Sequence, residues 1–183
     1  MKQIWARHFT ELQAGQRRFN RIVLHATQGW EKATSAEDLC AGAAREDAPK
    51  VSWHFASDSD SLVQAVRLKD IAYAAPGANA DGIHIEIAGR SEQTLEDWSD
   101  LFSELALDLT ARLVAELCAL KEIPIQFRDA AALVAGLRGI TTHAEVSKAF
   151  KKSDHWDPGP NFPMKKFMET VANYSRQTIG VIL

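Results

Sequence analysis

"GIHIEIAG" (residues 82–89) decides how the chain is built. Isoleucines at 83, 85 and 87 alternate with His84, Glu86 and Ala88, and side chains of a strand point to opposite faces every second residue. One face of this strand is therefore apolar, and the other carries an imidazole and a carboxylate. That second face is open to two readings. It is a solvated face, or it is a buried one on which Glu86, its pKa raised by burial, is suited to proton transfer near neutral pH.

Similar runs surround it. "RIVLHAT" (21–27) is short, apolar and rich in β-branched residues, which predicts a central strand with His25 near its end. "VSWHFAS" (51–57) and "SLVQAV" (61–66) read as further strands with Asp58 to Asp60 as the turn, and "IPIQF" (123–127) as another. "ATSAEDLCAGAARE" (33–46) predicts a helix with a Ser or Thr cap. Thr94 and Asp97 predict the capped start of a long helix whose core side holds Leu95, Trp98, Phe102, Leu105, Leu109, Leu113, Leu117 and Leu120. Residues 129–137 and 163–177 read as two more helices, the latter with Phe167, Val171 and Tyr174 on its apolar side, and the stretch between them as an irregular loop. The expected fold is α/β: a mixed central β-sheet flanked by α-helices, in one domain spanning residues 1–183.

Composition narrows the function classes. With 46% hydrophobic and 25% charged residues among 183, the chain has the balance of an ordinary globular protein. A formal net charge of −3 and a pI near 6.1 argue against a nucleic-acid partner, whose binding rests on neutralised phosphates. A helix-turn-helix reading of "GITTHAEVSKAFKK" is opposed by that balance and by the Pro-Gly-Pro that follows. Cys40 and Cys118 are expected to be buried free thiols. The start, "MKQIWARHFTEL", has no apolar signal-like core and no run suits a membrane span, so cytoplasmic synthesis, no membrane partner and a monomer are expected.

The chemistry concentrates in "GITTHAEVSKAFKKSDHWDPGP" (139–160), which holds His143, His155 and Asp157. Zinc takes imidazole and carboxylate donors, three from the protein in a catalytic site with a fourth position left for water. His143 and Asp157 need a third donor from elsewhere, and His25 is the natural candidate. Prolines 158 and 160 restrict the backbone around Asp157. The plainer readings remain beside this one: Pro-Gly-Pro as a tight loop, His25 as a satisfied core histidine, His54 and His84 as packing groups or supports for a ligand, and His8 as simply exposed.

Taken together, "RIVLHAT", "VSWHF", "AYAAPGANADGIHIEIAG" and "TTHAEV…DPGP.FP" resemble, in order and spacing, the type 2 N-acetylmuramoyl-L-alanine amidases over roughly residues 20–168. That family includes phage endolysin amidases, bacterial wall-recycling amidases and the animal peptidoglycan recognition proteins. The resemblance implies a Zn2+ site of His25, His143 and Asp157 at one edge of the sheet, a glutamate general base at Glu86, and a peptidoglycan or muropeptide substrate. It implies hydrolysis of the lactyl-L-alanine amide, in an endolysin-type enzyme reaching the wall after release. A recycling amidase and a non-catalytic peptidoglycan-binding module of the same fold are the alternatives.

The sequence departs from the family pattern in places. His155 stands where many members carry a lysine that steadies the oxyanion, and Trp53 stands where phage lysozyme-like members have a tyrosine. Tyr73 and Ala74 replace a Trp-His pair. Trp53, Tyr73, Asn79 and Trp156 are the expected substrate contacts, with a place in the core as the equal alternative for each aromatic.

Overall fold

The computed structural model describes residues 1–180. Its centre is a six-stranded mixed sheet: β1 (Lys2–Gln3), β2 (Arg21–Ala26), β3 (Phe55–Ser57), β4 (Leu62–Gln64), β5 (Gly82–Ile87) and β6 (Gly139–Thr142). The order is β1-β4-β3-β5-β2-β6, and all neighbours run parallel except β3 and β4. That pair is joined by the expected turn. Asp58 makes it by accepting from the amides of Asp60 and Ser61.

The period of two seen in residues 82–89 runs across the whole sheet. Leu24 pairs with Ile85, Ile22 with Ile83 and Ile140, and Phe55 with Ile85, so one face is continuous hydrocarbon. Onto it pack α2 (Leu101–Lys121) and α5 (Met164–Gly180) through Ala106, Ala111, Val114, Phe167 and Val171. Ser57 is the polar exception on this side, and its hydroxyl is satisfied by Thr110 of α2 at 2.7 Å.

The opposite face is divided. α1 (Ser35–Ala44) lays Ala36, Cys40 and Ala43 over Ala56 and Val63, while α3 (Ala130–Val134) and α4 (His143–Phe150) put Leu133 and Val146 against Val23. Between these covers lie His25 of β2 and His84 and Glu86 of β5.

Several expectations are corrected. Thr94 and Asp97 do bond each other, but they start only a 3-10 turn, Asp97–Ser99; the long helix begins afterwards with Asp100, whose carboxylate accepts from the Ser103 amide. Leu95, Leu105 and Leu120 are exposed, and small residues such as Ala106, Thr110 and Ala111 face the sheet instead, because the helix lies too close for leucines there. α1 is capped not by Thr34 but by Asp58, which accepts from the Ala36 amide at 2.9 Å. "IPIQF" is extended yet contributes only a bridge from Phe127 to Ile140, and the first of the two central runs is strand only from Phe55. The supposed irregular loop contains β6 and α4, the latter capped by Thr142, whose hydroxyl accepts from the Glu145 amide. His8 is half-buried, its Nε2 3.1 Å from the Ala48 carbonyl, and both cysteines are free and buried. No helix among the described residues is long and apolar enough to cross a membrane.

Candidate metal centre and active site

β5, β2 and β6 run parallel, and the site gathers at their carboxyl ends, where open α/β sheets place ligands. His25 and Glu86 are paired one residue before their strands finish, and His143 begins the helix that follows β6 directly. Asp157 arrives from the loop after α4. Its main-chain carbonyl accepts from the Ala144 amide at 2.9 Å, which ties it to the turn that carries His143. The Asp157–Pro158 peptide bond is cis. Gly159 has φ +98°, and a Cβ there would overlap the Ser91 carbonyl, so the loop seats against the 89–93 segment only with glycine at this position.

Three donor atoms converge. His25 Nδ1 lies 3.2 Å from one Asp157 oxygen and His143 Nδ1 lies 3.2 Å from the other, and the three groups offer ligand atoms within 4.8 Å of one another. Zinc bonds of 2.0–2.1 Å at a tetrahedral angle separate donors by about 3.3 Å. The donor types fit zinc, and the two His-to-Asp157 separations are close to that value. The remaining ring nitrogens are engaged elsewhere: His25 Nε2 lies 3.1 Å from His84 Nδ1, and His143 Nε2 lies 3.3 Å from the Ser153 hydroxyl.

The charges are set by burial and by each other. Burial pushes the Asp157 carboxyl up, but hydrogen bonds from His143 and His25 outweigh it and hold the group far below the ordinary carboxylate range. Burial lowers the His25 pKa, against the pull of Asp157. Glu86, with Oε1 3.9 Å from His25 Nδ1, is moved well above the ordinary range by burial and then by the negative charge of Asp157.

The other expected site residues are scattered. His155 lies at the rim, 61% exposed, stacked on His143 with ring centroids 4.4 Å apart and Nδ1 3.4 Å from Asp157 Oδ1. Trp156 is 49% exposed and borders a groove of about 370 Å3 with Phe127, Thr142, Ala144 and Pro158. Trp53 is elsewhere: its indole is buried under α1 and donates to Cys40 Sγ at 3.4 Å. Tyr73 bonds Thr10 at 2.7 Å, and Asn79 spends its carbonyl on the amides of Ala74 and Ala75. These three make bonds within the fold. Ser153 was not anticipated, since a lone serine in a polar loop carries no signal. Nor was the exposed Trp30, over which Arg90 lies with its guanidinium 5.5 Å from the ring centre.

The family model described as N-acetylmuramoyl-L-alanine amidase matches residues 15–160. The chain belongs to that family. Its activity class is accordingly N-acetylmuramoyl-L-alanine amidase. No curated protein sequence matches the chain. Among solved structures, the Staphylococcus aureus hydrolase AmiA in complex with its ligand superposes with a TM-score of 0.74 at 16% identity, covering 98% of this chain and 84% of that one. An AmpD derivative gives 0.64 at 17%, covering 92% and 93%, and a mutant endolysin from Bacillus subtilis gives 0.60 at 19%, covering 94% and 97%. At these identities the likeness is one of fold.

Proposed function

We propose that this amidase is zinc-dependent and cleaves the amide between the lactyl group of N-acetylmuramic acid and L-alanine of the stem peptide, acting on the bacterial wall in the manner of a phage endolysin. The convergence of His25 Nδ1, His143 Nδ1 and the Asp157 carboxylate at zinc spacing beside Glu86 carries the reading. When bound, zinc supplies Lewis acidity toward a carbonyl oxygen and makes water a nucleophile near neutral pH.

The chain's own residues do the rest. His25, His143 and Asp157 hold the metal. Glu86 takes the proton of the attacking water and delivers it to the leaving amine of L-alanine, a task to which its raised pKa suits it. His155 stands at the rim and presents its ring to the oxyanion that develops on the scissile carbonyl. The groove beside Trp156 receives the wall fragment, with the indole as an apolar wall.

The test is digestion of purified sacculi and of soluble muropeptides, with and without a chelator, read by mass spectrometry for stem peptide that begins at L-alanine. Chelator-sensitive release from sacculi is the expected result. Release from muropeptides alone would replace the endolysin role with recycling. No release from either, in protein carrying stoichiometric zinc, would leave only a binding module.

A further inference from the structure

Among the buried basic side chains that take no part in the steps above are Arg17, His54 and His84. Arg17 enters from the segment ahead of β2 and donates to the main-chain carbonyls of Leu68, Asp70, Asn79, Ala80 and Gly82. It forms no ion pair among the described residues, so its work is to clamp the 68–70 turn to the 79–82 loop that leads into β5. Its Nη1 also touches His54 Nε2 at 2.7 Å. His54 Nδ1 accepts the backbone N–H of His84 at 3.0 Å, and its Nε2 also lies 3.2 Å from the Asp70 carbonyl. The His84 ring stacks on His54 with centroids 5.7 Å apart and an interplanar angle of 17°. Its Nδ1 then meets His25 Nε2 at 3.1 Å.

We infer that His84 is a positioning residue for the metal centre: its Nδ1 accepts the Nε2–H of His25, which leaves His25 Nδ1 bare and aimed at His143 and Asp157. The inference rests on reading the triad as a zinc site. An imidazole binds metal through one nitrogen best when the other donates its proton to a fixed acceptor, because that bond selects the tautomer and stops the ring from turning. His84 is such an acceptor, held by the His54 stack and, behind it, by the Arg17 clamp. Packing alone does not account for a histidine at this position. His84 Nε2 is buried without a protein partner among the described residues, a burden that an apolar side chain of similar volume would not carry.

The comparison is between His84→Leu, which fills the space without an acceptor, and His84→Asn, whose amide oxygen comes near the place of Nδ1. His84→Ala is measured beside them so that misfolding of one variant does not end the test. Zinc affinity is read by competition with a chromogenic chelator, and the melting temperature of zinc-free protein is read in parallel. The expected result is zinc binding weakened about 10- to 100-fold in His84→Leu and His84→Ala, with most of the loss restored in His84→Asn and no matching fall in zinc-free stability for His84→Leu. Unchanged affinity without the acceptor overturns the inference. A loss that His84→Asn does not restore, or one that follows zinc-free stability, overturns it as well, and so does a wild-type chain that takes up no zinc. Because no substrate enters this measurement, a zinc-binding protein that fails to cut peptidoglycan sinks the proposed activity and leaves this comparison standing.

Discussion

On one face of the central sheet, Ile22, Leu24, Ile83, Ile85, Ile87 and Ile140 pack against α2 and α5 with nothing to orient but their own shape. On the other face of the same strands, Val23 is followed by His25, and His84 by Glu86; His25 is held by directed contacts to His84 and Asp157, with Glu86 3.9 Å away. The hydrocarbon face gains free energy in proportion to area removed from water and tolerates exchange of like for like. The histidine face is costly to bury, and that cost is offset in part where His25 and His143 meet Asp157. The strands thus join a side that stabilises to a side that reacts, one residue apart.

The comparison breaks most sharply if the two faces are cut separately. Asp157→Ala removes one donor of the proposed zinc site and leaves His25 and His143 facing each other. Activity should fall by more than about 10⁴-fold, given that enzymes commonly accelerate reactions by 10⁶ or more, and zinc should be lost from the purified protein. Ile85→Ala, on the other face, should cost about 2–5 kcal/mol of folding stability through the cavity it leaves, while folded protein keeps its zinc. A strong loss of zinc in Ile85→Ala, by metal analysis of the folded fraction, would show that the faces are not independent.

Glu86→Gln is next in size. It preserves shape and removes the proton acceptor, so turnover should drop about 10²- to 10⁴-fold with zinc content unchanged. Full turnover in this variant would remove Glu86 from the mechanism. His155→Ala should cost less, up to about 10²-fold, the low end for one oxyanion donor, because its exposed ring lets water substitute. His155→Lys should keep most of the activity. A His155→Ala enzyme with wild-type kcat would make the ring a rim contact only.

How much of this was legible follows from the same contrast. Alternation along "GIHIEIAG" is local, so it shows in sequence and assigns both faces at once. The donor triad was legible from residue type and from its place at a strand end and before Pro-Gly-Pro. What needed the third dimension was distance between elements. Leucines at helical spacing outrank the small residues of α2 in sequence, and only the packing on the sheet shows Ala106 and Ala111 in the core. "IPIQF" has the composition of a strand, but only the amide of Arg128 and the carbonyl of Gln126 meet Ile140. Trp53 reads equally as a substrate contact or a core aromatic, and only α1 laid over it puts the indole against Cys40. α4 was hidden because its start is also the metal motif, and the bond from Ala144 to the Asp157 carbonyl that holds both together spans thirteen residues of chain.

The smallest effect sharpens the comparison furthest, because it asks whether the histidine face costs stability when the metal is withdrawn. In zinc-free protein the carboxyl of Glu86 is mostly buried, its side chain 14% exposed, and it feels the negative charge of Asp157, so its pKa in the folded state lies well above the ordinary range, while in the unfolded chain it is near 4.3. Below that lower value Glu86 is protonated in both states and changes nothing. As the pH rises from there, the unfolded chain loses the proton while the folded protein retains it, so stability falls until the folded-state pKa is passed and then levels off. Glu86→Gln carries no proton to lose. Its melting temperature minus that of wild type, measured in chelator, should therefore be smallest near pH 4 and grow with pH, by about 1.4 kcal/mol of stability for each pH unit of the window. Ile85→Val, a change of about 0.5–1.5 kcal/mol on the other face, should show a difference that does not move with pH. If the Glu86→Gln difference were equally flat, the carboxyl would have to ionise as freely folded as unfolded, and the two faces would differ in composition but not in what they cost to bury.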